Sequence, residues 1–186
     1  MGYPGARFKS FETVAEASAA FKAGAGVSNV PSKQGSSSFS KPAQPASLKY
    51  PDLTNAICVD AACSGNPGDM EYRGVNLSTK EEIFHVGPLA EGTNNIGEFL
   101  ALVHALAWLR QQGRLDTTIF TDSKTAIAWL RNKKAKTTLR ETSRNKKIFE
   151  LMDRAVAWLH ANTYTNPIRK WETEVWGEIP ADFGRK

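Results

Sequence analysis

The order of hydrophobic patterns from residue 55 onward restricts this chain more than any other feature. Asn55 to Cys63 is a short run of apolar and small residues and reads as a buried strand. Glu71 to Leu77 and Glu82 to Val86 read as two more strands. The turn signal between them, Ser78-Thr79-Lys80, is short enough for a hairpin. Gly97 to Gln112 has a helical period, with Phe99, Leu102, Val103, Leu106 and Leu109 at three- and four-residue steps. Thr117 to Thr121 is a fourth strand, and Ser123 to Arg131 a second helix with Ile127 and Leu130 on one face. Asn145 to Ala161 is a third helix, turning Ile148, Leu151, Ala155, Trp158 and Leu159 inward, and Pro167 to Thr173 is a last strand. Three hairpin-linked strands followed by strands reached through helices predict an α/β fold. Its mixed sheet is an antiparallel meander carrying parallel strands added by right-handed crossovers.

Upstream the composition changes. Residues 1–21 are a small island holding Tyr3, Phe8, Phe11 and Phe21, in which Thr13 to Phe21 has the pattern of a short helix. Twenty-odd residues bury too little surface to fold alone. In residues 22–49, 17 of 28 positions are Gly, Ser, Ala or Pro, a flexible linker composition. Residues 50–186 are then the folded domain. The net charge of +5 is uneven: residues 1–50 hold six Lys/Arg against two acids, the remainder 18 against 17. A basic arm ahead of a balanced domain points to a polyanionic partner or a solubilising tail.

Apolar runs are only a few residues long, which excludes a helical membrane span. The start, MGYPGARFKSF, lacks the apolar stretch of a signal peptide, and Ala6 stands where a myristoylation signal needs Ser or Thr. Cys58 and Cys63 lie five apart in one strand, so they point to opposite faces and do not pair. No zinc-ligand spacing is present. The expectation is a soluble, cytoplasmic protein.

The chemistry resides in carboxylates. Asp60 interrupts an apolar strand, and a charge there is expensive unless it is paired or binds a metal. Asp122 sits where the fourth strand passes into a helix, Glu98 in the first turn of a helix, and Asp182 in WGEIPADFGRK. Each of these three has a plainer explanation: a helix cap aided by Ser123, a favourable dipole position, and a solvated tail. Geometry changes the balance. If the first and fourth strands are parallel neighbours, Asp60 and Asp122 lie side by side at the sheet end where ligands of open α/β sheets gather. Converging carboxylates repel unless divalent cations neutralise them. Oxygen donors without His or Cys favour Mg²⁺ or Mn²⁺, and two such ions support phosphodiester cleavage.

Together VDAACSGNPG, TNNIGEFLALVHAL, FTDSKTAIAWL and KWETEVWGEIPADFGRK resemble ribonuclease H type 1, in particular a bacterial subgroup ending in a WGEI-AD-GRK run. The resemblance covers about residues 55–186, with the four motifs in the family's order. It implies a five-stranded mixed sheet flanked by helices. It also implies an endonuclease that cuts the RNA strand of RNA/DNA hybrids with two Mg²⁺ ions, for which Mn²⁺ substitutes. The products carry 5′-phosphate and 3′-hydroxyl ends. The family's four metal ligands map onto Asp60, Glu98, Asp122 and Asp182. By the same resemblance Asp60 bridges both ions, Asp182 holds the one that activates water, and Glu98 and Asp122 hold the one nearer the leaving oxygen. Glu178 matches a position thought to act in turnover just outside the metal shell; its plainer reading is an exposed loop acid.

Substrate choice turns on the RNA 2′-hydroxyl. The resemblance assigns contacts with it to backbone groups of the turn Ser64-Gly65-Asn66-Pro67-Gly68 and to Glu98, and minor-groove contacts to Asn66, Asn94 and Asn95. Thr93, Asn95, Thr137 and Thr173 match a pocket for a DNA-strand phosphate. Lys124 replaces a polar amide of close relatives at a DNA contact, and Ala61 and Ala62 replace the common Gly and Ser. Residues 131–147 hold eight Lys/Arg and one Glu, which suits backbone contact beside that pocket. Trp171 and Trp176 are expected to pack. His104, six positions after Glu98, falls about 240° round the helix, facing away from the carboxylate; no histidine is assigned to catalysis. The N-terminal YPGARFKSFETVAEASAAF resembles the second half of a hybrid-binding domain. No obligate protein partner is implied, and a monomer is expected. Two other readings exist, a transposase or integrase core and a non-catalytic hybrid-binding module. The compact domain argues against the first and the complete carboxylate set against the second.

Overall fold

The computed structural model describes residues 49–184. The N-terminal island, its helix, nearly all of the linker and the last two residues of the GRK run lie outside the described residues. Among the described residues five strands and four helices follow in order: β1 (Ala56–Cys63), β2 (Gly68–Asn76), β3 (Glu82–Gly92), α1 (Asn94–Gln111), β4 (Thr118–Thr121), α2 (Lys124–Asn132), α3 (Lys146–Ala161), β5 (Ile168–Lys170) and α4 (Thr173–Trp176). They form one five-stranded sheet in the order β3-β2-β1-β4-β5. β1–β2 and β2–β3 are antiparallel, while β1–β4 and β4–β5 are parallel. The mixed sheet expected from the pattern order is therefore present.

Boundaries differ where apolar periodicity gives no signal. β2 starts three residues before the expected Glu71, and β3 runs six residues past Val86, because edge pairing with β2 continues beyond Gly87-Pro88, with shifts of register, up to Gly92. The last strand stops at Lys170 instead of Thr173. Thr173 opens α4, in which Trp176 donates its backbone N–H to the carbonyl of Glu172. α1 begins at Asn94, three residues before the expected Gly97.

The two sheet faces are unequally covered. α1 packs across one face and is buried on all sides over most of Ile96–Leu106, because α2 and α3 cover its outer side. Ala126, Trp129 and Leu130 of α2, and Ile148, Met152, Ala155 and Leu159 of α3, complete this core. The three-and-four spacing of the α3 residues is what buries one stripe of it. The opposite face carries a smaller core of Ala56, Cys58, Val75, Leu77 and Phe120. The chain beyond β5 closes it with Trp171, Ile179 and Ala181. Trp171 is fully buried and donates its Nε1–H to the Gly177 carbonyl at 2.8 Å, while Tyr50, Phe120 and Trp176 meet it edge-to-face. Both tryptophans thus have the packing roles expected of them. Cys58 belongs to this second core and Cys63 packs against the first, so the two free thiols are on opposite faces. Among the described residues no helix is long and apolar enough to cross a membrane.

Candidate active site

Asp60 is in the middle of β1, just past the stretch paired with β4, where Ala56 pairs with Thr118, Ile57 with Ile119 and Cys58 with Phe120. Extending that register brings Asp60 beside Asp122, the residue just past the end of β4. The parallel pairing supplies the juxtaposition; neither residue's local sequence does.

Glu98 arrives from α1. Its helix can come this close because Gly97 has no side chain: a Cβ there would lie 2.7 Å from the Ala61 Cβ, well inside contact distance. The small residues at 61 and 97 therefore set the gap between Asp60 and Glu98. Because α1 starts early, Glu98 is not in its first turn, which holds no acid, and the helix-dipole explanation falls away. Glu98 is buried instead, and its oxygens are engaged. The Asn94 side-chain amide donates to Oε1 at 3.0 Å, and the Ser123 hydroxyl donates to Oε2 at 2.5 Å. Ser123 also caps α2, accepting the Ala126 backbone N–H at 3.0 Å. The cap is thus Ser123 and not Asp122, which leaves the Asp122 carboxylate for the site.

Asp60, Glu98 and Asp122 each offer an oxygen within 4.8 Å of the others. Asp182 is outside this triad but lines the same cleft of about 450 Å³, together with Ser64, Asn94 and Phe183. It is delivered from the opposite face by the segment that buries Ile179 and Ala181. Its carboxylate accepts the Gly184 N–H at 2.7 Å, so it is not a free tail residue. Glu178 is exposed and does not line the cleft, yet its charge helps raise the Asp122 carboxyl.

The electrostatics are those of crowded acids. Burial, reinforced by Asp122, Glu98 and Asp182, pushes the Asp60 carboxyl up to about 8. Burial pushes Glu98 up to about 7 against the lowering effect of the Ser123 hydrogen bond. Asp122 is raised mainly by burial, with Lys170 opposing and Asp182 and Glu178 adding. Its Oδ1 is buried with no hydrogen-bond partner among the described residues. An orphaned buried oxygen and three converging carboxylates are a poor arrangement without a cation and a suitable one with it. All-oxygen donors match a hard divalent ion. The residues present therefore fit a divalent-metal centre.

Beside the cleft runs a groove of about 440 Å³ lined by Asn66, Thr93, Asn95, Lys136, Thr137 and Arg140, among others. It unites the sequence-derived Thr93, Asn95 and Thr137, which come from the start of α1 and from the basic loop. Thr173 is not among the residues lining it. Asn66, Ser64 and Gly65 occupy an exposed turn in which Gly65 has φ +142°, a value that favours glycine. Lys124 is exposed at the first turn of α2.

Sequence reasoning missed two organisers. Asn145, expected only as a helix start, is buried: it accepts the Thr142 N–H at 2.7 Å and donates to the Arg140 carbonyl at 3.0 Å. Thr142 and Arg144 in turn bind Glu91, tying the basic loop to the end of β3. Arg73 of β2 holds the Asp182 segment through the Ala181 and Asp182 carbonyls. A buried polar residue before a helix would have flagged Asn145; nothing local flags Arg73. His104 stacks on Phe84 at 4.1 Å beside an apolar cavity, away from the acids, as its helical position predicts.

The sequence profile described as RNase H matches residues 54–167. A ribonuclease H of Neorickettsia sennetsu is 39% identical over 80 residues, which are 40% of this chain and 52% of that protein. A ribonuclease H of Rhizobium meliloti is 36% identical over 107 residues, covering 53% of this chain and 68% of that one. The chain thus spans about half the length of the first relative and two thirds of the second. Among solved structures, LC11-RNase H1 from compost superposes with a TM-score of 0.45 at 20% identity, over 64% of this chain and 84% of that one. With the profile covering more than half of its length, the chain belongs to the RNase H family.

Proposed function

We propose that the protein is an endonuclease that hydrolyses the RNA strand of RNA/DNA hybrids, leaving 5′-phosphate and 3′-hydroxyl ends, and that residues 50–186 are its catalytic domain. The observation that carries this reading is the convergence of Asp60, Glu98 and Asp122 in a cleft also lined by Asp182, within a chain of the RNase H family. These four residues would hold two Mg²⁺ ions, or Mn²⁺ in their place. Divalent cations bound there supply activation of water and neutralisation of charge at the scissile phosphate. Ser123 and Asn94 keep the Glu98 oxygens aimed into the cleft. The turn at Ser64, Gly65 and Asn66, with Glu98, reads the RNA 2′-hydroxyls, while Asn94 and Asn95 read the minor groove. Thr93, Asn95 and Thr137 grip a DNA-strand phosphate, with Thr173 and Lys124 contributing further contacts. Residues 131–147 add sequence-independent backbone attraction. Glu178 assists turnover from outside the cleft. The protein works as a cytoplasmic monomer, a reading that its free, unpaired-by-geometry thiols accommodate.

The test is a short labelled RNA/DNA hybrid with Mg²⁺ or EDTA, beside duplex RNA and duplex DNA. Mg²⁺-dependent cutting of the hybrid's RNA strand alone is the expected result. Binding without cutting in Mg²⁺ and Mn²⁺ would leave a binding module, and cutting of duplex DNA would point to an integrase-like enzyme.

A further inference from the structure

Asp60, Glu98 and Asp122 are fixed by the sheet and by α1. Asp182 is not: it lies beyond α4, in a segment that belongs to none of the strands among the described residues. Its local restraints are a turn bond from its own N–H to the Ile179 carbonyl at 2.8 Å, the Gly184 N–H donated to its carboxylate at 2.7 Å, and the burial of Ile179 and Ala181. Side-chain hydrogen bonds from Arg73 tie it to the sheet, beside a backbone contact of Ala181 with the Cys58 thiol of β1. Arg73 Nε donates to the Ala181 carbonyl at 2.9 Å and Nη2 to the Asp182 carbonyl at 2.6 Å, while Nη1 reaches Glu82 at 3.4 Å. The guanidinium also lies over the Phe183 ring at 4.6 Å. One rigid planar fork thereby fixes two successive peptide groups and the side chain after them.

Arg73 is also the register partner of Asp60 across β1 and β2. The same inter-strand register therefore places Asp60 and, through the guanidinium, the backbone that carries Asp182. Its Nε, Nη2 and Nη1 donors face the Ala181 and Asp182 carbonyls and Glu82, so it bonds the backbone that carries the Asp182 carboxylate. We propose that Arg73 is a positioning residue that sets where the Asp182 carboxylate stands relative to Asp60, through the two peptide carbonyls it holds. This rests on the proposed metal centre and adds to it a determinant outside the carboxylates.

The test uses the full chain with Arg73→Met, Arg73→Lys and Asp182→Asn, and Arg73→Met combined with Asp182→Asn. Mg²⁺ binding without nucleic acid is read by calorimetry, thermal unfolding is followed in EDTA, and kcat and KM are read on hybrid. Met keeps the stem but removes the fork, and is expected to weaken Mg²⁺ binding by ~10-fold, the usual scale for outer partners of metal ligands. kcat should fall while KM for the hybrid holds. Lys, a point charge without the fork, should restore only part of the loss. In the Asp182→Asn background, Arg73→Met should add nothing further. Unchanged Mg²⁺ affinity in Arg73→Met, or an equal loss with and without Asp182, would overturn the proposal. If Met at 73 prevents folding, the same comparison is made with Lys. Absence of any Mg²⁺ binding that Asp60→Asn removes would overturn the metal centre and this role together. Mg²⁺ binding without hybrid cleavage would overturn only the nuclease, leaving Arg73 judged by calorimetry.

Discussion

The acidic cleft and the neighbouring groove are built on opposite principles. In the cleft, Asp60 and Glu98 are buried at the meeting of β1, β4 and α1, and the hydrogen-bond partners of Glu98 come from the starts of α1 and α2, which cannot shift without disturbing the core. The groove is made of loop residues and helix starts, with Asn66, Asn95, Lys136 and Arg140 exposed. Desolvated charge at fixed distances suits chemistry, since electrostatic effects strengthen where water is excluded. Exposed hydroxyls, amides and lysines suit a phosphate backbone, which is bound through many small, salt-sensitive contacts. Substitutions in the cleft should therefore act on kcat and on metal binding, and substitutions in the groove on KM and salt dependence.

The largest effect is expected from Asp60→Asn, which keeps the size but removes the charge between Glu98 and Asp122. Steady-state kinetics on hybrid should show kcat lowered at least ~10²-fold, with hybrid binding retained. A loss confined to KM would erase the distinction between the two regions.

The next is a pH dependence of the metal-free protein. Asp60 at about 8 and Glu98 at about 7 are raised above ordinary carboxyl values, so the folded state holds protons that the unfolded chain has released. The contribution of these two carboxyls to stability in EDTA should accordingly be greatest below pH ~4, where both states are protonated. It should then fall as pH rises, until it levels off above about 8. Thermal unfolding of Asp60→Asn should show a shallower slope. Mg²⁺ competes with these protons, so its affinity should rise over the upper part of the same window. A flat unfolding profile would mean that the acids are not crowded in solution.

Ser123→Ala sharpens the comparison, because Ser123 serves both the fold and the site. Losing the α2 cap should lower stability by about 1 kcal/mol. Releasing Glu98 Oε2 should lower kcat by roughly 10-fold, as for other residues that orient ligands. Ser123→Thr, which can make both bonds, should recover most of the activity.

Groove substitutions come last. Thr137→Ala and Lys136→Ala should raise KM with kcat unchanged, and Lys136→Ala should reduce the salt slope by about 1. Thr173→Ala, which is not in the groove lining, should have the smallest effect of the three on KM.

Much of this architecture is legible in the chain itself. Strong apolar periodicity marks β1, α1 and α3 because their buried positions must be apolar. Asp60 stands out for the same reason, being a charge where the pattern demands none. The extension of β3 to Gly92 and the end of β5 at Lys170 leave no such mark, since edge pairing and chain reversal depend on backbone partners. The early start of α1 likewise changes the meaning of Glu98, from a dipole-favoured surface acid to a buried one held by Asn94 and Ser123.

The sequence alone determined which residue types were available: four acids in motifs of fixed order, small residues at 61 and 97, and a basic loop after α2. Only the tertiary structure decided which of them meet. The β1–β4 register brings Asp60 to Asp122, the absent side chain of Gly97 admits Glu98, and packing of Ile179 and Ala181 with the Arg73 fork carries Asp182 to the cleft. The physical reason is separation along the chain: Arg73 and Asp182 are 109 residues apart. Periodicity reports a residue's environment over one or two turns of its own element. A contact across that distance exists only when the sheet register and both of its faces are already in place.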